Sequence, residues 1–317
     1  MLDAIPTNDQ VEAFVGSIPW LGILIAVIGA VFLALGAQLQ HRGVEKVEAG
    51  HGSGEKAGLS GGQFVRLLAR PSWVFGTIML GLAVLLQLVA LGFAPLIVVQ
   101  PLGIVALVLT SVINARVSHV KLGQAAISAI AMCVIGIAVF VTIAAVFAKE
   151  HALSEQQLII VLAILAVVLV VLGLAFAIFR RKATAMFYVA AGGILYGFVA
   201  STAKVIINRV ITGNFDWLTI VGGVGMLLAL IVGFYFVQTA YSVGAPDLVI
   251  AGLTVIDPLV AVSIAIFVLG EASDAPLWAV AVWVVAGVTA IVGVFRLAKH
   301  HPQTHRRDEP GELATLR

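Results

Sequence analysis

The chain reads as an all-α polytopic membrane protein: nine transmembrane helices in two inverted four-helix repeats joined by a connector helix. Three observations carry this reading. Hydrophobic residues make up 61% of 317 residues and charged ones 11%, 18 Lys and Arg against 16 Asp and Glu. An ordinary soluble domain carries about 25% charged residues. Charge-free stretches of membrane-spanning length fill most of the chain. The basic residues between them then sort to one side of the resulting topology, as the positive-inside rule requires.

So little polar surface excludes a soluble enzyme, a nucleic-acid binder and a disordered protein. The single cysteine, Cys133, excludes an internal disulfide framework and a Cys-rich metal site. It lies in an apolar run and reads as a small buried hydrophobe. Met1 to Glu12 holds Asp3, Asp9 and Glu12 and no Lys or Arg. A secretory signal needs a positive start, so the first apolar run is expected to remain as a membrane helix behind an extracytoplasmic N-terminus, residues 1–16.

A helix crossing ~30 Å of hydrocarbon needs about 20 residues. Residues 13–41 hold the first span, with core Pro19 to Leu39. The interval 71–115 is long enough for two, turning at Gly92-Phe93-Ala94-Pro95. Residues 122–148, 156–179, 183–203 and 217–246 each hold one more. The eighth span covers about 247–269, interrupted by Asp257, and the ninth lies in 275–295. With nine spans, 15 of the 18 basic residues fall on one side, including Arg180-Arg181-Lys182. Only Lys149 and Arg209 fall on the other, and Lys204 lies within a helix. The N-terminus is therefore expected outside and the C-terminus in the cytoplasm. The cytoplasmic loop 41–71 ends in Phe64-Val65-Arg66-Leu67-Leu68, which reads as a short interfacial helix. The tail 299–317, with His300, His301 and His305, reads as solvated and disordered.

Two parts of the chain resemble one another. Gln87 to Pro95 and Gln238 to Pro246 have the same length and both close on Ala-Pro. Pro101-Leu102 matches Pro258-Leu259, and Gly136 and Gly293 each lie 35 residues beyond those prolines. The pairing makes residues 17–148 one repeat, 149–182 the connector and 183–298 the second repeat. The first span of each copy runs in the opposite direction, so the copies are inverted. Inverted repeats around a midplane site are a recurring plan of secondary transporters.

Polar groups within the spans are the site candidates. Asp257 lies about ten residues into the eighth span, roughly 15 Å deep. A charge at that depth costs about 2.5–3.5 kcal/mol on insertion scales, which marks it as functional by default. Asp257-Pro258 also reads as an N-cap with Pro at N1, restarting a broken helix. Lys204 is expected either to line a central cavity with Asp257 as partner or to extend its amine to the outer interface. Gln87, Gln238, Gln100 and Asn114 complete the cavity candidates, with helix breaks at Pro95, Pro101, Pro246 and Pro258. Gly22, Gly29 and Gly36, and the Gly193/Gly197 pair, read as smooth helix-packing faces.

Leu269-Gly270-Glu271, with Pro258 before it and Gly287 and Gly293 after it, resembles the EamA-type repeat of the drug/metabolite transporter superfamily. Trp73, Gly76, Phe93-Ala94-Pro95 and Pro101-Leu102-Gly103 are similar to the NIPA-like magnesium transporter branch, as is Lys204 after Ser201-Thr202-Ala203. The resemblance implies a nine-helix transporter. In that branch a Gly-Glu pair and an Asn precede the Ala-Pro; here those Glu and Asn positions read Val84 and Gln87. The missing carboxylate opposes Mg²⁺, which is held mainly through carboxylates and retained waters.

No nucleotide-binding or hydrolase signature is present. The expectation is a gradient-driven secondary transporter, not an enzyme, moving a small metabolite or amphiphile across the cell membrane by alternating access, without a cofactor. Mg²⁺ is the alternative cargo, with Asp257 as its carboxylate. A non-transporting membrane scaffold or accessory subunit is the alternative of another class. The expected partners are the lipid bilayer and the substrate, not nucleic acid, with room for a homodimer.

Overall fold

The computed structural model describes residues 19–48, 69–117, 123–149, 153–179, 183–243 and 246–299. The interfacial segment 64–68, the basic run 180–182, both termini and most of the loop 41–71 lie outside the described residues. Among the described residues, nine helices are long and apolar enough to cross a membrane. They are α1 (Pro19–Glu48), α2 (Pro71–Phe93), α3 (Leu96–Val117), α4 (Gln124–Phe147), α5 (Glu155–Phe179), α6 (Ala185–Ile211), α7 (Trp217–Val243), α8 (Pro246–Phe267) and α9 (Leu277–Lys299).

The prolines act in four different ways. Ala94 is extended (φ −142°, ψ 152°), because a residue before proline is pushed out of the α region. This ends α2 and separates it sharply from α3. Pro101 lacks an N–H, so α3 tightens into a 3₁₀ turn over Gln100–Leu102, with the Gly103 amide donating back to Gln100 and Pro101. Pro246 is the first residue of α8, where its missing N–H costs nothing. Pro258 departs from expectation: α8 runs through it without a break. A transmembrane helix tolerates an internal proline when its neighbours hold it. Here α6 supplies that support, since added Cβ atoms on Gly193 and Gly197 would meet Ile256 and Val260 at 2.8 and 2.7 Å.

α6 also extends past the expected end at residue 203 to Ile211. Lys204 and Arg209 interrupt the apolar run without ending the helix, because both are buried with hydrogen-bond partners.

Small residues set the packing, as in other membrane bundles. Gly22, Gly29 and Gly36 line the α1 face against α2: their added Cβ atoms would meet Ala94 Cβ at 2.5 Å, Leu86 Cβ at 3.3 Å and the Gly76 carbonyl at 2.9 Å. α4 and α9 cross at a reciprocal contact. Gly136 lies against Ala290, and Gly293 against Cys133, with added Cβ atoms 2.8 Å from backbone nitrogen in each case. α5 is the least buried span. Gly136→Val should drive α4 into backbone and lower stability by about 1–3 kcal/mol. Gly173→Ala on α5 meets nothing within 4 Å and should not. Thermal unfolding in detergent compares the two.

Candidate functional site

The break at Ala94-Pro95 places two helix ends side by side. α2 ends with carbonyls that have no helical donor, and α3 begins with amides that have no helical acceptor. A buried charge serves each end. Lys204 Nζ donates to the Leu91 carbonyl at 2.7 Å and the Ala94 carbonyl at 3.0 Å. The Glu271 carboxylate accepts from the Leu96 amide at 2.9 Å and the Ile97 amide at 2.8 Å. A cation at a helix C-terminus and an anion at an N-terminus both match the helix dipole. Each residue is only 3% exposed.

Local structure explains how Glu271 gets there. α8 ends in a turn in which the Val268 and Leu269 amides both donate to Ile264. Gly270 follows at φ +72°, the left-handed conformation that closes many helices. Glu271 then turns inward, its amide donating to Ala265 and its carbonyl accepting from the Lys149 amide, both at 3.0 Å. Gln157 of α5 donates to the Val268 and Leu269 carbonyls at 3.3 and 3.1 Å. Lys149 pairs with Asp274 at 3.0 Å on the surface above. Gly270→Ala would hold a Cβ residue at positive φ, at a cost of roughly 1–2 kcal/mol. A lower unfolding temperature than wild type is the expected reading.

The same end of the bundle carries a second buried cation. Arg209 donates to Thr219 Oγ1 at 3.0 Å and Asp216 at 2.8 Å, with Glu155 at 3.8 Å. The Thr219 amide, with smaller help from Arg209, holds the Asp216 carboxyl below the usual carboxylate range. Its contribution to stability is therefore present above the ordinary Asp pKa and is lost as pH falls through the lowered value.

A cavity with a mixed polar and apolar lining lies at the opposite end, where α1, α3 and α9 finish and α8 begins. It holds about 370 Å³ between these four helices. Among the described residues its polar lining is Gln38, Thr110, Ser111, Asn114 and Thr254, and none of the lining side chains is charged. The three hydroxyls donate to carbonyls one turn back, Thr110 to Ala106, Ser111 to Leu107 and Thr254 to Ile250. Their oxygens therefore face the cavity chiefly as acceptors, and the two amides add both donors and acceptors. A smaller apolar cavity of about 80 Å³ is lined by Pro101 and Pro258 and shares Thr254 with the first. Pro258 has no N–H, so the Thr254 carbonyl lacks its α-helical donor between the two spaces.

The expected site residues divide accordingly. Asn114 lines the large cavity. Lys204 binds the end of α2 rather than lining that cavity or reaching the interface. Asp257 lies on the α8 face against Gly193 and Gly197, half-buried, and its Oδ1 is enclosed with no hydrogen-bond partner among the described residues. Gln100 is buried in the 3₁₀ turn, Gln87 is half-buried on α2, and Gln238 is exposed on α7. Sequence reasoning missed Gln38, Thr110, Ser111 and Thr254. The i, i+1, i+4 spacing of Thr110, Ser111 and Asn114 was the available signal. It also missed the capping role of Glu271, although Gly-Glu directly after a span is a visible helix-end pattern. Among the described residues no three His, Cys, Asp or Glu side chains group as a metal site would.

Comparison with known proteins gives distant relatives. The chain is 25% identical over 277 residues to an uncharacterized protein of Corynebacterium glutamicum, covering 86% of this chain and 91% of that one. It is 27% identical over 141 residues to the probable magnesium transporter NIPA5 of Arabidopsis thaliana, covering 44% of this chain. It is 28% identical over 115 residues to the probable magnesium transporter NIPA4 of the same plant, covering 36%. These two alignments span about a third of the Arabidopsis proteins, 33% and 32% of their lengths. No family model and no solved structure matches. Nine membrane-length helices among the described residues, together with these relatives, mark the chain as a multi-pass membrane protein with distant homology to the NIPA magnesium transporters.

Proposed function

We propose that the chain is a secondary transporter of the drug/metabolite type, moving a small metabolite or amphiphile across the cytoplasmic membrane by alternating access. The observation that carries this reading is the cavity at one end of the bundle, set against a charge-capped helix break at the other. That is the arrangement of a carrier open to one side and sealed to the opposite side. The sorting of basic residues assigns the open end to the cytoplasm. Inverted repeats are supported by the α4–α9 contact. Gly136 on Ala290 becomes Gly293 on Cys133 when each residue is exchanged for its partner 157 positions away. Such self-exchange is what a two-fold axis between the copies produces.

The lining favours an uncharged or amphiphilic cargo, since apolar side chains alternate with hydroxyls and amides. Mg²⁺ is the second reading, favoured by the Arabidopsis relatives. Against it, no carboxylate lines the cavity among the described residues, and Val84 is 58% exposed on the outer face of α2. A non-transporting scaffold accounts for Lys204 but leaves the cavity between α1, α3, α8 and α9 without a role.

The test is uptake into proteoliposomes, with Mg²⁺ beside a panel of neutral and amphiphilic organic compounds under an imposed pH gradient. An organic compound is expected to accumulate, and Mg²⁺ not. Accumulation of Mg²⁺ alone transfers the assignment to the second reading, and no transport of either leaves the scaffold. Asp257 is assigned the proton or coupling cation, because its Oδ1 is enclosed without a hydrogen-bond partner among the described residues and its depth in the sequence of the eighth span puts it toward the midplane. Asp257→Asn is expected to remove the dependence of uptake on the pH gradient. Unchanged pH dependence contradicts that role.

A further inference from the structure

The two ends of the bundle are equivalent in one further respect. Asn114 and Glu271 each stand 13 residues beyond a matched proline, Pro101 and Pro258. The Glu271 carboxylate holds the Leu96 and Ile97 amides, the first two after Pro95. The first two amides after the matching Pro246 belong to Asp247 and Leu248, at the start of α8. Asn114 already faces Ile250 and Ala251, from the first two turns of α8, across the large cavity.

We infer that Glu271 and Asn114 are alternating latches: Glu271 seals the Pro95 end by capping α3, and in the opposite state Asn114 seals the Pro246 end by capping α8 through the Asp247 and Leu248 amides. This rests on the inverted-repeat reading above and supplies its gating residues. Lys204 completes the first latch by holding the adjoining end of α2. The latches differ in strength. A carboxylate offers two charged acceptors and makes hydrogen bonds roughly twice as strong as a neutral amide makes. The state with the Pro95 end closed and the cavity open is therefore the resting state. Closing the cavity requires Asn114 and α8 to approach across the space the cargo occupies, so cargo and latch compete for the same volume.

The test measures distances between paired spin labels in the full chain reconstituted in lipid, with Cys133 replaced by Ala. One pair, at Val89 and Ser273, reports the Pro95 end. The other, at Val117 and Val243, reports the Pro246 end. All four positions are exposed. Unsubstituted protein should give one dominant distance for each pair. Glu271→Gln should lengthen the first distance and shorten the second, raising the minor population on the order of tenfold, the effect of losing a good helix cap. Asn114→Glu should move both distances the same way by strengthening the opposing latch, and it leaves the Glu271 contacts intact. Adding Asn114→Leu to Glu271→Gln should keep the second distance long.

Unchanged distances in folded Asn114→Glu overturn the proposal, as does opening of the Pro95 end in Glu271→Gln with no closure of the Pro246 end. The measurement needs no substrate. Exchange between the two states in protein that moves nothing would sustain the latches and contradict the transport reading. Transport without any such exchange would do the reverse.

Discussion

Lys204→Met is expected to be among the most destabilising single changes in the chain. The amine is buried and donates to two carbonyls at the end of α2, at 2.7 and 3.0 Å. Methionine has nearly the same length and no donor, so both carbonyls stay in a water-free interior with no replacement, while Glu271 remains buried nearby. Loss of a buried charged donor costs about 3 kcal/mol. A fall in unfolding temperature of roughly 5–10 °C follows, measured in detergent. Val170→Met serves as a control, because Val170 faces outward from α5. If Lys204→Met unfolds with the control, the amine does not hold the break, and the capped end of the bundle loses its physical basis.

Thr110→Trp should have the largest effect on transport. Thr110 lies on the wall of the 370 Å³ cavity, so an indole at that position projects into the space assigned to the cargo. Uptake should fall to the background of protein-free liposomes while the unfolding temperature stays near wild type. Val170→Trp places the same group in lipid and should leave uptake intact. Full activity in Thr110→Trp would place the route elsewhere.

Much of the fold can be read from the placement of charges. Membrane insertion penalises charge at every position of a span, so intervals free or nearly free of charge locate the nine membrane-length helices found among the described residues. The rule fails where a charge is buried and paired. Lys204 and Arg209 made α6 look eight residues shorter than it is. Lys204 stands out in the sequence because a lysine inside a span is unusual, but its partners do not. Backbone carbonyls at a helix end 113 and 110 residues away leave no side-chain signature. Glu271 escaped for a related reason. It sits just after a span, where an acidic residue looks solvated, and its acceptors serve amides 175 and 174 residues away. Gln87 and Gln238 show the limit of repeat equivalence: matched positions end half-buried on α2 and exposed on α7. Asp257-Pro258 shows the limit of cap patterns, since tertiary support from α6 carries the helix through a sequence that would end an isolated one.

Counterflow tests the central claim most directly, because it requires one site to face each side in turn. Proteoliposomes are loaded with an unlabelled compound that accumulates in the uptake panel and then diluted into a trace of the labelled compound with no ion gradient. An alternating-access carrier should draw label inward to a transient overshoot that saturates with internal concentration, and Thr110→Trp should abolish it. Label that equilibrates without overshoot, or does so equally in Thr110→Trp, would contradict alternating access through this cavity.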